Sequence, residues 1–105
     1  MEITVKTYKE FKELIEGRNI EVSRTIVEAI FANLNNNKKS IFILHVNVLD
    51  DDTFYELTLD RNDFIESLEK NLVIHEKYEE YEVCAKILDT INTLKKNGKS
   101  KTNNN

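Results

Sequence analysis

From Asp60 to Lys96 the chain runs 37 residues without proline or glycine, with apolar residues recurring at helical spacing. No other stretch is as long or as regular. Its apolar positions need a surface to bury against, and the preceding sixty residues read as a small sheet with helices that provides one. The expected fold is therefore α+β. A small, mostly antiparallel sheet formed by Ile3–Lys6, Ile41–Val48 and Thr53–Leu59 is covered by helices, and a C-terminal helical hairpin occupies 60–97. Residues 1–97 are read as one domain and 98–105 as a disordered basic tail.

At 105 residues the chain is long enough to bury a core without metal or disulfide help. A hydrophobic fraction of 40% beside 32% charged residues is that of a folded soluble protein. No apolar run approaches the roughly 18 residues a membrane span needs. Met1-Glu2-Ile3-Thr4-Val5 lacks the basic and apolar regions of a signal peptide, so a cytoplasmic protein with no membrane contact is expected. One cysteine, Cys84, leaves no internal disulfide, and no cysteine-histidine cluster suggests structural zinc. The net charge of -4 is unevenly spread. Lys95, Lys96, Lys99 and Lys101 crowd the last eleven residues, leaving 11 basic against 19 acidic side chains, or -8, in the body. Such a body repels phosphates, which disfavours direct nucleic-acid binding by the folded part. Thirteen asparagines with many lysines and isoleucines fit an AT-rich genome, as in a phage or a low-GC bacterium.

In chain order, Ile3 and Val5 share one side of a short strand. Thr7 and Glu10 have capping-box spacing for a helix whose stripe is Phe11, Leu14 and Ile15 and which Gly17 ends. Ile20 and Val22 fit a short edge strand or a linking loop, of which the loop is favoured, and Ser23 is read as the N-cap of a second helix. That helix buries Ile26, Val27, Ile30, Phe31 and Leu34 and presents Arg24, Glu28 and Asn33 outward, until Asn35-Asn36-Asn37-Lys38-Lys39 stops it. A hairpin follows, turning at Asp50-Asp51-Asp52. Phe42, Leu44, Val46 and Val48 are expected to share the core face with Tyr55, Leu57 and Leu59, leaving Ile41, Ile43, His45 and Asn47 on the other. A one-residue slip would exchange these faces. Asp60 is read as the N-cap of a helix burying Phe64, Ile65, Leu68 and Leu72. The stripe loses phase across Val73 to Lys77 and resumes as Tyr81, Cys84, Leu88 and Ile91, flanked by Ile87 and Leu94. The phase loss predicts two helices joined by a short turn, the second closed by Asn97-Gly98.

Glu80, Tyr81, Glu82, Ala85, Ile87, Asp89, Ile91 and Leu94 make the stretch from Glu80 to Lys95 resemble the second helix of the UVR motif. Over residues 64–96 this helical hairpin is similar to the one through which bacterial excision-repair proteins and some protease-adaptor proteins contact partners. The family's first paired alanine is Cys84 here, and its arginine before the aspartate is Leu88. The resemblance implies a protein-docking hairpin.

Catalytic chemistry finds little support. Asp50-Asp51-Asp52 lacks the alternating ligands, glycine and distal glutamate of a calcium loop and reads as a solvated turn. His45 and His75 are the only histidines, and His45 has Glu56 facing it as a surface pair on a sheet. A deep pocket around that pair would point instead to a small hydrolase. Cys84 falls on the apolar seam, where a thiol packs well and reacts poorly. With only Gly17 and Gly98, there is no phosphate-cradling loop, dinucleotide fingerprint or nucleophile elbow. No catalytic residue, cofactor or metal is assigned.

The sharpest surface feature is Glu76, Tyr78, Glu79, Glu80 and Glu82, where carboxylates interleaved with tyrosine suit a basic protein partner. The expected function is that of a non-enzymatic accessory or adaptor protein binding another protein through its hairpin; a homo-oligomer is a further option. The alternative is an acidic inhibitor imitating nucleic acid, of the phage anti-defence type, acting on a DNA-handling protein.

Overall fold

The computed structural model describes residues 1–17 and 19–103, with side chains described as far as Asn97. In chain order the elements are β1 (Glu2–Val5), α1 (Tyr8–Glu16), α2 (Ile20–Ala32), β2 (Ser40–Val48), β3 (Thr53–Asp60), a 3-10 turn (Arg61–Asp63), α3 (Phe64–Lys77) and α4 (Tyr81–Asn103). The fold is α+β with a three-stranded mixed sheet in the order β1-β2-β3. β2 is central, parallel to β1 and antiparallel to β3. No helix among the described residues is long and apolar enough to cross a membrane.

The central strand shows why the expected faces were only half right. Leu44, Val46 and Val48 oppose Leu57, Tyr55 and Thr53 on the core side, but the register slips between Phe42 and Leu44. Ile43 is the extra residue of this β-bulge, so the alternation inverts there. Ile41, opposite Leu59, joins the core with Ile43, whereas Phe42 turns to the open face and stays 43% exposed. The core gathers these β2 residues with Val27 and Ile30 of α2, Phe64 and Leu68 of α3, and Ile87 and Ile91 of α4. Full burial of each such side chain is worth about 1.5–3 kcal/mol.

α1 starts as the capping-box spacing requires. Thr7 Oγ1 accepts from Glu10 N–H at 3.1 Å, and the Glu10 carboxylate reaches back to Lys6 N–H, also at 3.1 Å. Phe11 stacks on Tyr55 beneath β3 with ring centroids 4.9 Å apart. At Gly17 a Cβ would lie 2.2 Å from the Glu13 carbonyl oxygen, so the glycine is required by close approach and not by a left-handed φ.

α2 begins four residues earlier than the cap at Ser23 predicts. Asn19 is the N-cap, and its side-chain oxygen accepts from Glu21 and Val22 N–H at 2.9 and 3.1 Å. Residues 20–22 are therefore helix. The earlier start puts Val22 and Ser23 on the buried face with Val27 and Ile30. Ser23 Oγ, freed from capping, donates to Asn71 Oδ1 of α3 at 2.7 Å, a buried polar link between the two helices.

Asp60 likewise ends β3 and does not open a helix directly, because the 3-10 turn intervenes before α3. Arg61 in that turn donates to Lys38 O, Asn33 O and Asn36 Oδ1 at 2.6 to 2.8 Å and lies 4.9 Å over the Phe64 ring. The asparagine-rich connection is thereby pinned to the start of α3. α4 passes Asn97-Gly98, where a helix end is expected, and continues to Asn103. The side chains of the expected basic tail, and its residues 104–105 altogether, lie outside the described residues.

Candidate protein-docking surface

α3 and α4 are separate helices, as the phase loss predicts, joined through Tyr78, Glu79 and Glu80. The turn is a Schellman motif: Glu80 N–H donates to His75 O and Glu79 N–H to Glu76 O, both at 3.0 Å. The left-handed position of that motif is normally glycine, yet here it is Glu79, with φ 58°. A side chain there costs about 1–2 kcal/mol. Glu79→Gly is therefore expected to raise stability by about 1 kcal/mol, the gain being trimmed by glycine's extra freedom when unfolded. Urea unfolding checks this, and a lower midpoint would show that the turn has another conformation.

The apolar contact that usually closes such a turn is replaced by a polar one. His75, fully buried, hydrogen-bonds through Nδ1 to Glu80 Oε1 at 2.8 Å, and Glu80 Oε2 accepts from Arg24 of α2 at 2.6 Å. A carboxylate only accepts, so Nδ1 carries the hydrogen, and Nε2 is buried without a partner. The Arg24 hydrogen bond, reinforced by His75, holds the Glu80 carboxyl below its ordinary range. Because the folded-state value is depressed, the resulting stability is present above the unfolded carboxylate pKa and lost as pH falls through the folded one. Glu80→Gln should be less stable at neutral pH, with the deficit shrinking on acidification. A deficit constant from neutral to acid, measured by urea unfolding, would contradict this.

Of the five residues singled out for docking, Glu76, Tyr78, Glu79 and Glu82 are exposed, and Tyr78 remains 52% accessible. Glu80 is turned inward and locks α2 to the hairpin turn. The buried seam of α4 is Cys84, Ile87, Ile91 and Leu94, not the expected Tyr81–Cys84–Leu88–Ile91. Tyr81 is 67% and Leu88 49% exposed, and with exposed Ala85 between them they form a stripe at i, i+4 and i+7 on the outer side of α4. Beside it lies a groove of about 400 Å³ between α2 and α4, floored by Val27, His75 and Val83 and rimmed by Arg24, Glu82 and Lys86. Lys86 Nζ sits 4.5 Å from the Phe31 ring centroid. Burial pushes the Cys84 thiol pKa up, with Glu76 and Glu80 adding to it, which opposes thiolate formation.

The remaining candidates lie elsewhere. His45 stands opposite Glu56 as expected, but on the open sheet face between the Phe42 and Phe54 rings, 4.6 Å from each centroid. The histidine–carboxylate hydrogen bond among the described residues is instead His75–Glu80. Asp50, Asp51 and Asp52 form an exposed hairpin turn with Asp52 at φ 49°. Among the described residues no three His, Cys, Asp or Glu side chains converge as a metal site.

Fold and surface thus define a helix-covered α+β fold whose C-terminal helical hairpin packs one face on the core and leaves the other exposed. No protein-family model matches the chain, and neither a curated protein nor a solved structure matches it.

Proposed function

We propose that this chain is a non-enzymatic accessory protein, acting in the cytoplasm, that docks another protein through the outer face of its C-terminal hairpin. The observation that carries the reading is the exposure of Tyr78, Tyr81 and Leu88 on one hairpin whose turn is held by Arg24, Glu80 and His75. Tyr81 and Leu88 stand on one face of α4 and Tyr78 in the turn before it; exposed large side chains of this kind are what partner surfaces bury, and tyrosine is enriched among the residues that dominate small interfaces. Glu76, Glu79 and Glu82 supply an acidic rim that steers a basic partner. The likeness to the UVR hairpin supports the same class of activity. Leu88 stands at that motif's arginine position, so a partner here meets apolar surface where the motif offers a cation.

The nucleic-acid-mimic alternative needs an unbroken row of carboxylates. On the helices the acids are interrupted by cations: Glu66 pairs with Lys70 at 3.1 Å, Glu69 with Lys95 at 3.8 Å, and Glu80 with Arg24. Affinity capture from source cells separates the two readings. Tyr78→Ala should weaken capture of the partner by about 1–3 kcal/mol, while the wild-type interaction persists at high salt. Capture that ignores Tyr78→Ala and collapses as salt rises would favour the mimic.

A further inference from the structure

β3 is an edge strand whose open side is chemically specified. His45 N–H donates to Met1 O at 3.0 Å, so His45 directs its amide and carbonyl toward β1. Its opposite number Glu56 must then turn its own N–H and C=O away from β2, and strand alternation puts Phe54 and Thr58 in the same state. The edge thus offers a ladder of free backbone groups along an eight-residue strand. Among the described residues β3 holds neither proline nor lysine and the bulge belongs to β2, so its protection against pairing is acidic, from Glu56 and Asp60.

Its two faces state what kind of strand would fit. Toward the helices, Tyr55, Leu57 and Leu59 remain partly exposed, whereas their β2 neighbours Leu44 and Val46 are fully buried. Apolar side chains on an added strand would complete that cover. On the open face, Phe54 is 54% exposed two residues from Glu56, and Asp60 lies on the same face at the far end of the strand. A carboxylate next to an aromatic ring attracts a cation both electrostatically and through the ring face. A second copy of this chain fits poorly. Antiparallel self-pairing that keeps the faces continuous and most of the strand paired brings Glu56 opposite or diagonal to the other copy's Glu56.

We infer that the β3 edge accepts, as a fourth strand, an extended segment of another protein that alternates apolar residues with lysine or arginine. This surface is separate from the hairpin, and one chain would hold two partners. The test uses the full chain and a fluorescent synthetic peptide alternating valine and lysine, matched in length to β3. That peptide should bind at least about tenfold more tightly than its valine–glutamate counterpart, and Glu56→Lys should reverse the preference. N-methylation of the peptide amides that face β3 should abolish binding, and amide exchange should slow at Phe54, Glu56 and Thr58. Tyr78→Ala should leave all of this unchanged, so failure here and failure of hairpin docking are distinguishable. Binding that survives N-methylation, protection confined to β1 or α4, or self-association of the free protein that protects the same β3 amides would overturn the inference.

Discussion

Ile87→Asp should unfold the domain, while Leu88→Asp, one residue along the same helix, should cost less than about 1 kcal/mol. Ile87 is fully buried in the cluster that joins α4 to α2, α3 and the sheet. A carboxylate placed there sits in the apolar cluster, and the combined loss of apolar burial and desolvation of the charge should exceed about 3 kcal/mol. Leu88 keeps half its surface in water, so an aspartate there stays hydrated and loses little beyond helix propensity. Urea unfolding of the two variants reads the rotation of α4 about its axis. Equal costs, or the reverse order, would mean that the helix presents a different face to the core.

Phe64→Ala should cost about 3–5 kcal/mol, which is a large part of the 5–15 kcal/mol typical of a whole domain. Phe64 opens α3, is almost wholly buried and is the largest fully buried side chain among the described residues. Its removal leaves a cavity and strips the ring from beneath Arg61, the side chain that ties down Asn33, Asn36 and Lys38. The Asn33–Lys39 connection should therefore loosen along with the core, and amide exchange should quicken there. A cost below about 1 kcal/mol would show that the site collapses without penalty or that Phe64 is not the anchor of α3.

How much of this was legible before the structure depended on whether one segment admitted two patterns. Thr53 to Leu59 alternates unambiguously, and its strand and inner face are as the pattern predicts. The α3–α4 break was legible because a stripe that loses phase cannot stay on one side of a rod. Across Ile41-Phe42-Ile43-Leu44 every residue is apolar, so nothing in the sequence distinguishes a regular strand from one with a bulge at Ile43. Asn19 and Ser23 are both good caps, and the choice fell to burial, because Ser23 is needed against Asn71. On α4, the seams 81-84-88-91 and 84-87-91-94 share two members and the same three-four spacing. The packing of α2 and α3 selects the second, and that selection releases Tyr81 and Leu88 to the surface.

The docking edge was legible in composition and not in direction. Glu76, Tyr78, Glu79 and Glu82 are exposed as a carboxylate–tyrosine cluster suggests, whereas Glu80 finds Arg24 56 residues earlier in the chain. Its other partner, His75, is a position where a buried histidine was not anticipated. No local pattern could have announced a pair so distant. Tyr81 and Leu88 were legible only as apolar residues, and their role as surface followed once Ile87 took the core.

Hydroxyl-radical footprinting of the purified protein bound to its captured partner tests hairpin docking most directly, because tyrosine and leucine side chains report their own exposure. The expected result is that Tyr78, Tyr81 and Leu88, each about half exposed or more in the free protein, become protected together, while Phe42 and Phe54 on the sheet are unchanged by this partner. Full reactivity of Tyr78, Tyr81 and Leu88 in a stable complex would contradict hairpin docking.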